Sequence, residues 1–305
     1  MTVQEHGYPV YVATVPVGGR PIDVAVNPLT NRAYAACFTN TVSVIDGSTN
    51  SVTANLHFDW DNPYAVAVNP STNMVYLTEQ TFGWVRLIEA GTNTVSPPVW
   101  AGPGASGVDV NPSTNRVYVA CNFSNTVRVM DGDFSVIATV PVGAHPAGVA
   151  VNPSTNRVYV CCATDNTVSV IDGSTNSVVA AVPVGWGPVQ VAVNPSTDRA
   201  YVCNYYGNTV SVIDGSTNSV VATVPVGAGP SGVAVNPWTG RACVSNNADN
   251  TVSVIDGSTN SVIATVPVGR GPLGVAVDPS TNRAYVCNDQ DSTISVIQWL
   301  APSGP

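Results

Sequence analysis

The chain has 305 residues, of which 10 are basic and 19 acidic, for a formal net charge of −9, and none of the basic residues is lysine. That balance argues against a nucleic-acid partner, which needs clustered cations, and excludes Schiff-base chemistry and Walker-type phosphate binding. Apolar residues make up 44 % and charged residues only 10 %, with Val, Thr, Ser, Asn, Gly and Pro dominant, which is a strand-and-turn composition.

Met1 to Gly7 is too polar to read as a signal peptide, and no apolar stretch approaches the roughly 18 residues of a membrane span. After Tyr11-Val-Ala-Thr-Val-Pro-Val-Gly18 one sentence is repeated along the chain. Its first apolar run ends in Asn-Pro or Asp-Pro at Asn27, Asn69, Asn111, Asn152, Asn194, Asn236 and Asp278, 42 residues apart with one step of 41. A period of about 40 to 50 residues made of short strands is the signature of a propeller blade. The prediction is one all-β domain over residues 1–305, a seven-bladed β-propeller of four-stranded antiparallel blades.

Within a repeat, strand A is exemplified by Gly232 to Asn236, strand B by Arg199 to Asn204, strand C by Thr209 to Asp214 and strand D by Ser219 to Val226. The A-B turn reads Asn-Pro-Ser-Thr-Asn, with proline presetting φ. In the C-D turn, Asp-Gly-Ser-Thr-Asn, the glycine is expected to supply the positive φ beside an Asx-type Asp. Neither turn carries the alternating oxygen ligands and distal Glu of a calcium loop. Arg32, Arg116, Arg157, Arg199, Arg241 and Arg283 open strand B, while Asp46, Asp131, Asp172, Asp214 and Asp256 close strand C. The hairpin register places them at one end, where ion pairs worth about 1 kcal/mol or less are expected.

Cys37, Cys121, Cys161, Cys162, Cys203, Cys243 and Cys287 sit at similar places in the repeat frame. Equivalent positions on neighbouring blades lie too far apart for the ~4.4–6.8 Å Cα separation of a disulfide, so buried free thiols are expected. Their odd number and the lack of CxxC spacing argue against zinc, and no metal or other cofactor is predicted. Asn122-Phe-Ser124 is the one glycosylation acceptor pattern. The seventh repeat stops after Thr293-Ile-Ser-Val-Ile297 without a strand D, and Tyr11 to Gly18 matches Val262 to Gly269. The N-terminal segment is therefore predicted to supply the outer strand of the last blade and close the ring.

Tyr201-Val-Cys-Asn204 and Tyr285-Val-Cys-Asn288, each followed by Thr-Val/Ile-Ser-Val-Ile, resemble the YVTN-type propeller repeat named for Tyr-Val-Thr-Asn. The resemblance runs through all seven periods, with Cys in place of Thr in blades 4, 5 and 7, Ala in blades 1 and 3, Thr78 retained in blade 2, and Cys243-Val-Ser-Asn246 in blade 6. It implies a secreted or cell-surface protein. Similar seven-bladed propellers carry lactonases, streptogramin-type lyases and cofactor-bearing oxidoreductase domains, so the fold does not choose the function. The near identity of the copies also resembles internal amplification or a consensus-designed, engineered scaffold.

Strand alternation puts the A-B and C-D turns on one face of the disc and the B-C and D-A loops on the other. The loop face carries the departures from the repeat. In the D-A loops and strand A these are Arg20, Asp23, Asp61, Asp109, His145, Trp186, Gln190 and Arg270. The B-C loops add aromatics such as Phe123, Tyr205 and Tyr206, and aspartates such as Asp165, Asp249, Asp289 and Asp291. Aromatic platforms and polar groups around a concave mouth describe a binding face. Arg20 and Arg270, on adjacent blades of a closed ring, would receive a carboxylate or phosphate. The expected function is a non-catalytic binding or structural module, monomeric, without nucleic-acid or membrane partner, taking a small anion, a glycan or a protein on the loop face. The alternative is a lyase or lactonase at the channel mouth, using His145 with an aspartate such as Asp23 as an acid-base pair.

Overall fold

The computed structural model of the chain describes residues 7–59 and 62–299. They form seven antiparallel sheets. The strand A segments are Pro21–Asn27, Pro63–Asn69, Ala105–Asn111, Pro146–Asn152, Pro188–Asn194, Pro230–Asn236 and Pro272–Asp278. Each packs beside the strand A of both neighbouring blades, the seventh beside the first, so these strands line a central channel. The ring closes as the sequence predicts. Pro9–Pro16 pairs antiparallel with Thr293–Trp299 and completes the sheet of blade 7.

The outer strand of blade 2 departs from the repeat. It is split into Thr94–Val95 and Val99–Trp100 around Pro97 and Pro98, which offer no N–H to the ladder. Inner strands are packed on both faces: all but the first residue of Arg199–Asn204 are buried, which is why strand B reads as a continuous run rather than an alternating one. The core is divided into apolar clusters that each straddle two adjacent blades, such as Tyr201, Val212, Val233 and Ile255 between blades 5 and 6. All seven cysteines are buried and unpaired, as expected.

Side chains at the A-B end of each blade reach the next blade. Asn27, Asn69, Asn111 and Asn236 donate from Nδ2 to the Oδ1 of Asn73, Asn115, Asn156 and Asn282 at 2.8–3.0 Å. Tyr118, Tyr159, Tyr201 and Tyr285 are fully buried wedges against the following blade. The arginines do likewise, which corrects the expected Arg–Asp pairs. Arg32, Arg157 and Arg199 donate from Nη1 to Ala90 O, Asn218 Oδ1 and Gly257 O at 3.0, 3.2 and 2.7 Å, and Arg116 and Arg283 donate to Gly173 O and Gly47 O. Asp46, Asp172 and Asp214 stand opposite Arg32, Arg157 and Arg199 in register. They fold over their own turns instead, accepting from the N–H of Ser48, Ser174 and Ser216 at 2.7–2.9 Å.

The C-D turn glycines also have another cause than the one predicted. The left-handed residue is the Asn that ends the turn, Asn176 at φ 53° and Asn218 at φ 51°. Glycine is required because the A-B turn of its own blade and a buried tyrosine of the previous blade both come close: a Cβ on Gly173 would stand 2.6 Å from Asn156 Oδ1 and 2.8 Å from Tyr118 Oη, and one on Gly215 would collide with Asp198 Oδ1 and stand 2.5 Å from Tyr159 Oη.

Candidate functional site

Strand A bonds to strand B on one side only, so its inner edge turns unpaired N–H groups toward the channel. Two of the singled-out aspartates satisfy those groups. Asp23 accepts from Val24 N at 2.9 Å and, across the blade boundary, from Val66 N at 3.0 Å. Asp109 repeats the device with Val110 N and Val151 N, both at 2.8 Å. Burial among the packed inner strands pushes both carboxyls up to about 6, against the lowering effect of the bonds they accept. For Asp109 the charge of Asp23 adds to the rise.

On the B-C and D-A side the channel opens into a cavity of about 690 Å³. Its size falls within the range of about 300–1,000 Å³ usual for small-molecule sites. Asp23, His145, Trp186 and Gln190 line it together, with Tyr205 and Tyr206. Asp109 lies on its strand below the lining, and Asp61 falls outside the described residues.

One wall is an aromatic platform. Trp186 and Tyr206 lie with ring centroids 5.1 Å apart at 39°, and Tyr205 meets Tyr206 edge-on, also at 5.1 Å. The loops that carry them are zipped together. Tyr205 N donates to Gly187 O at 2.8 Å, and Tyr206 N to Trp186 O at 3.2 Å. Gly187 has φ +70°, and a Cβ there would stand 2.5 Å from Tyr206 Cδ2, so the close approach of the ring depends on this glycine. Although fixed at their backbones, Trp186 and Tyr206 remain 65 % and 61 % exposed, which leaves their faces open.

The expected anion clamp is not formed by the two arginines. Arg20 Nε donates to Asp289 Oδ1 at 3.1 Å, and its guanidinium lies 4.9 Å from the Phe38 ring centroid. Arg270 Nε donates to Asp291 Oδ1 at 2.7 Å. Neither side chain lines the cavity. The B-C loop aspartates that stood out in the sequence brace the D-A loops. Asp165, Asp249 and Asp291 accept from the N–H of Ala144, Ala228 and Arg270 at 2.6–2.7 Å.

His145 sits at the mouth in the left-handed region, φ 58°, where several blades place glycine, and Arg20 does the same at φ 55°. His145 N donates to Asn125 Oδ1 at 2.9 Å, and Nε2 faces Asn122 Nδ2 at 3.5 Å. Among the described residues no carboxylate pairs with its ring, and both oxygens of Asp23 are occupied by backbone N–H groups. Sequence reading missed two lining amides. Asn166 occupies a position that is Asn in most repeats and so did not stand out. Asn122 stands out in the sequence only by its glycosylation pattern, yet it is 7 % exposed within the cavity wall, a poor position for a glycan acceptor.

No protein-family model and no curated protein sequence matches the chain. In shape it is similar to a chain of Kuenenia stuttgartiensis hydrazine synthase, with a TM-score of 0.83 at 18 % identity over 92 % of this chain and 96 % of that one. At that identity the likeness shows the seven-bladed architecture alone. Solved structures contain 1827 chains that resemble this one, so the architecture is too widely shared to select a chemistry.

Proposed function

We propose that this protein is a non-catalytic binding propeller whose site is the cavity at the channel mouth, on the face of the B-C and D-A loops. The observation that carries this reading is the Trp186–Tyr206 pair, held at its backbone, packed over Gly187 and yet open to solvent. Exposing two large aromatic faces beside a concavity sacrifices burial, and a site that presents them ready-made loses less entropy on capturing a ligand. The Tyr-Val-Cys-Asn repeats support placing the chain with YVTN-type propellers, and through them with exported and cell-surface binding proteins.

Against the lyase or lactonase reading stands the arrangement of its required pair. General acid-base work needs a base within reach of a proton, whereas His145 faces an amide and Asp23 spends both oxygens on the backbone. The test is a thermal-shift screen of a mixed library of organic anions, nucleotides, lactones, sugars and short peptides against the parent and Trp186→Ala. A compound that stabilises the parent but not the variant, and is recovered unchanged after prolonged incubation, is the expected result. Conversion of that compound by the parent, lost in His145→Ala, would contradict the non-catalytic reading.

A further inference from the structure

The side chains at the mouth narrow the chemistry of what it holds, on the premise that the mouth is the binding site. Among the described residues no arginine lines the cavity, Arg20 and Arg270 each turn toward an aspartate, and an anion there would face the Asp23 carboxyl and a chain of net charge −9. Purely apolar ligands fit no better, because the lining carries amide donors with nothing to bond. Asn166 Oδ1 accepts from Gly187 N at 2.8 Å and Gln190 Oε1 from Val191 N at 3.1 Å. Each amide is thereby oriented with its NH₂ group left without a protein partner among the described residues. Covering such donors with hydrocarbon leaves each unsatisfied at a cost of about 1–3 kcal/mol.

A cation, which the aromatic faces would also attract, finds the lining carboxylate Asp23 already accepting two backbone N–H bonds, whereas a neutral molecule with one flat, C–H-rich face and acceptor oxygens at its edge meets both the rings and the amide donors. A pyranose ring has this form: its axial hydrogens make an apolar face, and its equatorial hydroxyls and ring oxygen point outward. An aromatic ring, negative on its face, attracts those C–H groups, and the tilted Trp186–Tyr206 pair offers two such faces side by side. We propose that the mouth takes a neutral oligosaccharide, one sugar ring lying against Trp186 and Tyr206 with its hydroxyls bonded by the amides of Asn166 and Gln190.

The experiment titrates the full chain calorimetrically with cellohexaose, xylohexaose, mannohexaose and chitohexaose, and in parallel with oligogalacturonate and a heparin oligosaccharide as acidic probes. At least one neutral oligosaccharide binds the parent, and Trp186→Ala and Tyr206→Ala each weaken it by about tenfold or more, while their melting temperatures match the parent's because both side chains are mostly exposed. In Trp186→Phe binding persists, but the ligand-induced change in tryptophan emission is lost. Binding of acidic probes alone, or of no saccharide, overturns the neutral-sugar assignment. If a non-saccharide hit of the library screen is then lost in Trp186→Ala, the mouth remains the site and only its ligand class was wrong. Neutral-sugar binding that both alanine variants leave unchanged overturns the placement itself.

Discussion

Cys243 and Trp299 exchange sizes across the junction of blades 6 and 7. At four of the other junctions a strand B tyrosine of one blade meets a C-D turn glycine of the next, as Tyr159 meets Gly215. At the junction of blades 6 and 7 the tyrosine position holds Cys243, and Trp299 stands where the glycine would be, one residue past the Arg283–Gln298 pair that replaces Arg199–Asp214. Both are buried, at 1 % and 6 % exposed, in a single apolar cluster. The volume lost on one side is thus restored from the other.

Restoring the repeat residue on one side alone is therefore damaging. Cys243→Tyr overfills the seam and costs about 1–3 kcal/mol in urea unfolding. Adding Trp299→Gly to that variant recovers part of the loss, whereas Trp299→Gly by itself is destabilising, so the two changes couple by about 1 kcal/mol or more. Simple additivity would show that the two side chains do not share one space.

Closure by the N-terminal strand is tested by deletion. Removing residues 1–16 strips blade 7 of its outer strand and exposes the edge of Thr293–Trp299 together with the site of Val15, which is 1 % exposed. The melting temperature falls by about 10 °C or more on loss of several kcal/mol. A truncated chain as stable as the parent contradicts this closure.

The arginine staples give a double-mutant test. Arg157→Ala and Asn218→Ala, which remove the two ends of a 3.2 Å bond between blades 4 and 5, couple by about 1 kcal/mol. Arg157→Ala and Asp172→Ala, opposite in register yet without an ion pair among the described contacts, add to within about 0.5 kcal/mol. The reverse pattern would restore the hairpin ion pair that sequence register suggests.

Asp23 and Asp109 make stability depend on pH in an unusual direction. Their folded-state values are raised from 3.8 to about 6, so in that window the folded chain retains protons that the unfolded chain has released. Stability therefore falls as pH rises through that window. Asp46, Asp172 and Asp214, held below the usual range chiefly by the seryl groups of their turns, act oppositely and only at lower pH. Urea midpoints at about pH 4.5 and pH 7 should differ less in Asp23→Asn/Asp109→Asn than in the parent, since the pH-independent cost of replacing an acceptor cancels in that comparison. An unchanged difference would show that these carboxyls titrate normally.

The fold was legible because a 42-residue period, strand patterning and the missing strand D all state the same architecture. Contacts between blades were not. Register within a hairpin places Arg157 opposite Asp172, but only the ring brings Asn218 within reach, and no local pattern encodes that approach. The same blindness affected Arg20 and Arg270, whose partners Asp289 and Asp291 come from a loop brought alongside by folding. At the mouth, Trp186 and Gln190 announced themselves by departing from the repeat. Asn166, which most repeats keep, did not, because a residue that braces most blades carries no local mark where one copy also faces a cavity.

Ligand binding at the channel mouth rests on the Trp186–Tyr206 platform. The most direct measurement is the dissociation constant of one captured ligand for the parent and for Trp186→Ala, by calorimetry under identical conditions. Trp186→Ala is expected to lose about tenfold or more in affinity without change in melting temperature. Equal constants for the two proteins would contradict it.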